Sequence, residues 1–227
     1  MKQIPESALI PVIQKHQSFI APNSKLGSVE VESGYGIADV VFYSLDQQSV
    51  ANRRQKKVSR LKSYEILETL SLLNEFEHQE IAITQLYEKL PYSEQYFRSK
   101  LLPFLVKNDL CLVQNDRLDC QWKYKVALQE TVAIEAKVSN WRRGLYQAYR
   151  YRQYADLSYL ALDTNHIQPA WKNINEFQRA NVGLIKVDTV ADEIEILFFP
   201  KVEQDMRNRM LQMYNNEFIL QTQNFID

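Results

Sequence analysis

Residues 131–154, TVAIEAKVSNWRRGLYQAYRYRQY, constrain the fold more than any other stretch of the chain. Val132, Ile134, Ala136 and Val138 alternate with Ala133, Glu135 and Lys137. Successive side chains of a strand point to opposite faces, so the first set makes an apolar face and Glu135 and Lys137 share the other. A helical period then takes over. Trp141, Leu145, Ala148 and Ala155 fall on one stripe; Gln147 and Tyr151, four apart, sit together on its flank beside Arg143 and Arg150. Further strands are predicted over 156–162, 182–187 and 193–199, with helices within 165–180 and from 203 to about 220. This alternation predicts an α/β fold, a central mixed sheet flanked by helices.

A carboxylate and an ammonium side by side on a strand have chemical uses. The carboxylate can hold a divalent cation through oxygen, and the ammonium can orient a water or offset phosphate charge. The same Glu-x-Lys pattern also describes a solvated strand face, but here the opposite face is uninterruptedly apolar and a helix follows at once. Upstream, 28–32 and 37–43 read as a hairpin turned by the glycines of Ser33–Gly36. In its second strand Ala38, Val40 and Phe42 share one face, and Ile37, Asp39, Val41 and Tyr43 the other. An aspartate among such neighbours is costly to bury unless it is hydrogen-bonded or something positive pairs with it, and a metal or Lys137 would do.

Together, Asp39 on an earlier strand, Glu135-Ala136-Lys137, the Trp141-bearing helix and Gln147-x-x-x-Tyr151 resemble the PD-(D/E)XK nuclease superfamily. The Gln-x-x-x-Tyr element is most similar to its recombination-exonuclease branch. Ala38 stands where the namesake proline would be, a frequent departure in that family. The resemblance covers about 25–43 and 131–199. It implies a restriction-endonuclease-like sheet and metal-dependent hydrolysis of phosphodiester bonds. Asp39, Glu135 and Lys137 would be catalytic. Asp39, Glu135 and the Ala136 carbonyl would hold Mg²⁺ or Mn²⁺. Lys137 would position or deprotonate the attacking water, the second role requiring its pKa to fall. Gln147, Tyr151 and Arg143 would contact substrate, with Arg142, Arg150 and Arg152 supplying further positive charge. Some members of the family carry an additional acid on a first helix. Glu6, near the start of a helix predicted over 5–17, holds that place, or is simply a favourable charge at a helix N-terminus. The implied partner is nucleic acid, DNA in preference to RNA. Two other readings are a catalytically silent DNA-binding or regulatory protein on the same scaffold, and an adaptor built around the helical module described next.

Between the two resembling segments the pattern changes. Arg53, Arg54, Lys56, Lys57, Arg60 and Lys62 form a run with no acid among them, readable as a phosphate-contacting arm or a solvated linker. A helix over 59–76, a short strand over 80–83, a helix capped by Thr84 and a Ser93-capped helix to 107, kinked by Pro103, follow. A hairpin about Asn115-Asp116 closes the module. The order resembles a winged helix-turn-helix, placing an inserted domain over 51–129 between two parts, 1–50 and 130–227, of an α/β domain. Acids slightly outnumber bases across the module, so DNA binding and protein interaction are both open for it.

The net charge of −1 argues neither for nor against nucleic acid. No apolar run reaches the roughly 20 residues that span a bilayer, so no membrane partner is expected. Glu6 and Gln14 interrupt the region where a signal peptide would be apolar, which argues against export. Two cysteines, Cys111 and Cys120, make neither a disulfide framework nor a zinc site, although a two-residue turn would bring them face to face. Free thiols in a reducing cytoplasm are expected. Oligomeric state is open, with a homodimer or a larger complex among the possibilities.

Overall fold

The computed structural model describes residues 4–34, 36–76, 80–203 and 205–226 of the 227. The chain divides into two compact units. One comprises Met1–Asp46 and Leu128–Ile219, the other Gln47–Ala127 and Leu220–Asp227. Elements are numbered along the chain. α1 (Leu9–Lys15), α2 (Gln17–Ile20), β1 (Leu26–Glu32) and β2 (Ile37–Leu45) precede α3 (Gln47–Gln55), α4 (Tyr64–Leu73), β3 (Ile81–Ala82), α5 (Ile83–Tyr87), α6 (Glu94–Tyr96) and α7 (Leu102–Lys107). There follow β4 (Cys111–Gln114), β5 (Arg117–Cys120), β6 (Leu128–Lys137), α8 (Trp141–Tyr151) and β7 (Leu157–Asp163). The chain ends with α9 (Ile167–Trp171), α10 (Ile174–Ala180), β8 (Gly183–Asp188), β9 (Glu193–Phe198) and α11 (Arg209–Thr222).

Among the described residues of the first unit lies a six-stranded mixed sheet in the order β1-β2-β6-β7-β8-β9. β6, β7 and β8 pair in parallel, and β1, β2 and β9 are antiparallel to their neighbours. The central strands are apolar on both sides, as burial on both faces requires. In β7, Tyr159 and Ala161 pack toward α1, together with Leu9, Val12 and Ile13 and with Val40, Phe42, Val132, Ile134 and Ala136. Leu160 and Leu162 point the other way, to Trp141, Leu145 and Ala148 of α8 and Ile167 and Phe177 beyond it. The α/β class and the helix-flanked mixed sheet expected from the alternation are therefore present. α11 starts at Arg209 rather than near 203, because the Asn208 Oδ1 accepts the Met210 and Leu211 N–H groups and caps it.

The second unit contains a three-stranded sheet, β3-β5-β4. Ile66, Leu67, Leu70 and Leu73 of α4 are buried, as are Ile81, Leu86, Phe97, Leu101, Leu105 and Leu118. The hairpin turn is set by Asn115 and Asp116, both at positive φ (49° and 58°), which asparagine and aspartate tolerate and a two-residue hairpin turn demands. Several sequence expectations shift here. α4 begins after Ser63, whose hydroxyl accepts the Ile66 N–H, so 59–63 is not helical. α5 begins at Ile83 with no side-chain cap, and Thr84 lies inside it. Ser93 does cap its helix. The distortion expected from Pro103 takes the form of a π turn, Phe97–Leu101, which absorbs the missing N–H one turn earlier. The basic run begins on α3, which carries Arg53 and Arg54, and Arg54, Lys56 and Lys57 are exposed. Arg53 is buried there, donating to the Val58 and Ser59 carbonyls. Residues 220–227 belong to this unit rather than to the sheet. Arg60 Nη1 donates to Gln221 Oε1 at 2.6 Å and Arg54 Nε to the Phe225 carbonyl at 2.7 Å.

Candidate active site

β2 and β6 bring Asp39 and Glu135 together. Their antiparallel register pairs Val40 with Ile134, and one step further along each strand lie Asp39 and Glu135. The Asp39 Oδ2 accepts the Ala136 N–H at 2.7 Å, a contact between residues 97 positions apart in sequence. The Glu135 side chain is only 2% exposed. Its Oε1 lies 2.7 Å from Lys137 Nζ, and its Oε2 accepts the Tyr151 hydroxyl. That hydroxyl also lies 2.7 Å from the Ile37 carbonyl, so α8 is tied to both strands through one side chain. Lys137 Nζ further contacts Glu6 Oε2 at 3.1 Å and the Ala136 carbonyl at 3.2 Å.

Electrostatics follow from this packing. Burial raises the pKa of Asp39, against the opposing Ala136 N–H and the Lys137 charge. Burial likewise raises Glu135, partly offset by Lys137 and Tyr151 and reinforced by the Asp39 charge. Burial works to lower Lys137, but the Glu135 and Glu6 carboxylates outweigh it and its pKa is raised. The general-base role suggested for Lys137 needed the opposite shift. In this structure Lys137 is an ammonium, suited to holding a water or a phosphate oxygen by donation. Burial and the Glu135 charge push Tyr151 far upward, so it stays a neutral donor.

The remaining sequence candidates lie along α8. Arg143, Gln147 and Tyr151 are each four apart and make one row on the helix. Arg143 is exposed at the open end of that row. Among the described residues the buried Gln147 Oε1 has no hydrogen-bond partner. Arg142 of this helix and Arg152 just past its end are committed elsewhere. Arg142 stacks on Trp141, and Arg152 bonds the Ala180 carbonyl and Glu203. Glu6 does join the cluster. Sequence reasoning missed Gly144. A Cβ there would lie 2.5 Å from Leu160 Cδ1 and 2.9 Å from Lys137 Cγ, so any larger residue would force the buried Leu160 or the lysine stem to shift. A glycine inside a helix, where it costs about 1 kcal/mol, was the available signal.

Whether these residues suit a divalent cation is decided by their chemistry. Asp39, Glu135 and the Ala136 carbonyl offer hard oxygen donors of the kind Mg²⁺ and Mn²⁺ take. Glu6, Asp39 and Glu135 set three carboxylates against the single Lys137 ammonium, and each acid of the pair Asp39–Glu135 is raised by burial. That local excess of two negative charges is what a divalent ion would neutralise, so the donor set fits. Among the described residues no three Asp, Glu, His or Cys side chains are gathered into a metal cage by themselves. Comparison with protein-family models, with curated proteins and with solved structures finds no match.

Proposed function

We propose that this protein is a metal-dependent nuclease of the PD-(D/E)XK kind, hydrolysing phosphodiester bonds in DNA in preference to RNA. The observation that carries the reading is the convergence of Asp39 of β2 with Glu135 and Lys137 of β6, on the face opposite the α1 core. Asp39, Glu135 and the Ala136 carbonyl would hold the ion, Mg²⁺ or Mn²⁺. When bound, it would make a coordinated water more acidic and offset charge on the phosphate. Lys137, held protonated by Glu135 and Glu6, donates to the attacking water or to a phosphate oxygen. Tyr151 fixes the Glu135 carboxylate and leaves it no freedom to swing away. Gln147, whose buried carbonyl oxygen is unpartnered, and Arg143 at the outer end of the row would meet the substrate strand. The second unit, whose helix–strand–helix–hairpin order resembles a winged helix, would help select the target. A reducing cytoplasm suits its two free cysteines.

The test is cleavage of plasmid, linear and single-stranded substrates with Mg²⁺ or Mn²⁺. Asp39→Ala and Lys137→Ala are expected to lose activity by about 10²-fold or more while remaining folded. Equal turnover by wild type and both variants would remove the assignment. One observation favours a second reading, a silent DNA-binding or regulatory protein on this scaffold: Lys137 already contacts Glu135, Glu6 and the Ala136 carbonyl. That reading predicts salt-sensitive binding without turnover, surviving Asp39→Ala.

A further inference from the structure

We infer that the second unit carries a built site for a single-stranded nucleic acid, which binds its phosphates through lysines and stacks a base on Trp122. The inference rests on the nucleic-acid reading above and names a surface that the catalytic cluster does not include. Within this unit, α3 and the stretch from Gln121 to Ala127 line a half-open cavity of about 260 Å³. Arg53, Lys56, Lys123 and Lys125 line it, with Trp122 and neutral side chains, and no carboxylate does. The chain as a whole has one more acid than base, so this segregation is local. Lys56, Lys123 and Lys125 enter no ion pair among the described residues. Like charges gathered around one concavity repel each other, and an anion seated there relieves the repulsion.

The aromatic wall is held rigidly. The Arg53 guanidinium lies over both Trp122 and Tyr124, 5.8 and 5.9 Å from the ring centroids, and those two rings pack edge to face at 5.7 Å. Arg53 itself is anchored by the Val58 and Ser59 carbonyls, so it supports the wall rather than reaching for a ligand. Trp122 remains half-buried, with part of its surface in the cavity. An aromatic platform beside free ammonium groups is the arrangement that takes a base and its adjoining phosphates without reading sequence. A cavity of about 260 Å³ is of the size of one base, and a base can stack on Trp122 only where its face is free, as it is in a single strand. The basic run of the sequence thus has a partner segment, 121–125, that lies far from it in the chain.

The experiment is fluorescence anisotropy with fluorescein-labelled oligothymidylate of about 12 nucleotides, a duplex of the same length and polyglutamate, in EDTA to prevent cleavage. Expected is tightest binding to the single strand, with quenching of intrinsic tryptophan fluorescence that Trp122→Phe largely abolishes. Replacing Lys56, Lys123 and Lys125 together by Gln should weaken binding about tenfold or more and reduce the salt slope by about 2. Replacing them by Arg should restore it, and Trp122→Leu should lose about tenfold. Affinity unchanged in the Gln variant, preference for the duplex, or equal affinity for polyglutamate would each overturn the proposal. Cleavage by wild type with unaltered binding by the Gln variant defeats this site alone. The expected binding pattern without cleavage defeats only the nuclease assignment.

Discussion

Lys137→Met, measured in EDTA, probes how strongly the candidate site is held together. The Lys137 side chain is 11% exposed and that of Glu135 2%, which places the pair in the buried regime, where removing one partner costs about 3–5 kcal/mol. An exposed pair would cost under about 1 kcal/mol. In the variant Glu135 keeps the Tyr151 hydroxyl but loses its cation, while Asp39 and Glu6 remain close by. For a unit of this size the loss corresponds to a fall in Tm of about 10 °C at pH 7. The sign with pH follows from linkage. A carboxyl whose folded pKa is raised keeps its stability contribution below the unfolded value and loses it as pH rises through the folded pKa. Glu135 is already raised, and losing Lys137 raises it further, so the deficit should shrink markedly between pH 7 and pH 5. Glu135→Gln/Lys137→Met, which removes both charges, should recover most of the loss and give a coupling of at least about 1 kcal/mol in the double-mutant cycle. Urea unfolding followed by circular dichroism reads all four proteins. A Lys137→Met deficit below about 1 kcal/mol, equal at both pH values, would refute the reasoning.

Other consequences can be checked alongside. Tyr151→Phe removes the one O–H that Glu135 and the Ile37 carbonyl share and should destabilise by about 1.5–3 kcal/mol in the same unfolding assay. Gly144→Ala gains about 1 kcal/mol of helix propensity, but its Cβ would lie 2.5 Å from Leu160 Cδ1. Net destabilisation is expected, relieved by Leu160→Val; a stabilised Gly144→Ala protein would contradict the packing described. Cys120 faces Cys111 across the hairpin, and that thiol lowers its pKa, while Cys120 in turn and burial raise Cys111. Iodoacetamide followed by peptide mass spectrometry should therefore label Cys120 first, at a lower pH than an ordinary thiol requires, and leave Cys111 for last.

Much of the first unit was legible because its signals are periodic. The strand–helix unit 131–154 shows a clean change of period, and the register of β2 against β6 follows once Val40, Phe42, Ile134 and Ala136 must share one core. The convergence of Asp39 with Glu135 and Lys137 was legible from the same alternation together with the family resemblance. What could not be read was set by contacts distant in sequence. The burial of Arg53 depends on Trp122 and Tyr124, the state of Lys137 on Glu6 and Glu135, and the need for Gly144 on Leu160. Helix starts at 64 and 209 depended on which polar side chain reached the first free N–H groups, a choice several neighbours offered equally, and the start at 83 takes no side-chain cap for a pattern to reveal.

The central claim is that oxygen atoms from two distant strands form a seat for a divalent cation next to an ammonium. Crystals soaked in Mn²⁺ and measured near the manganese absorption edge test it most directly. The account predicts an anomalous peak touching Asp39 and Glu135 that disappears in Asp39→Ala. A wild-type crystal with its manganese elsewhere, or with none beside those two carboxylates at saturating Mn²⁺, would contradict it.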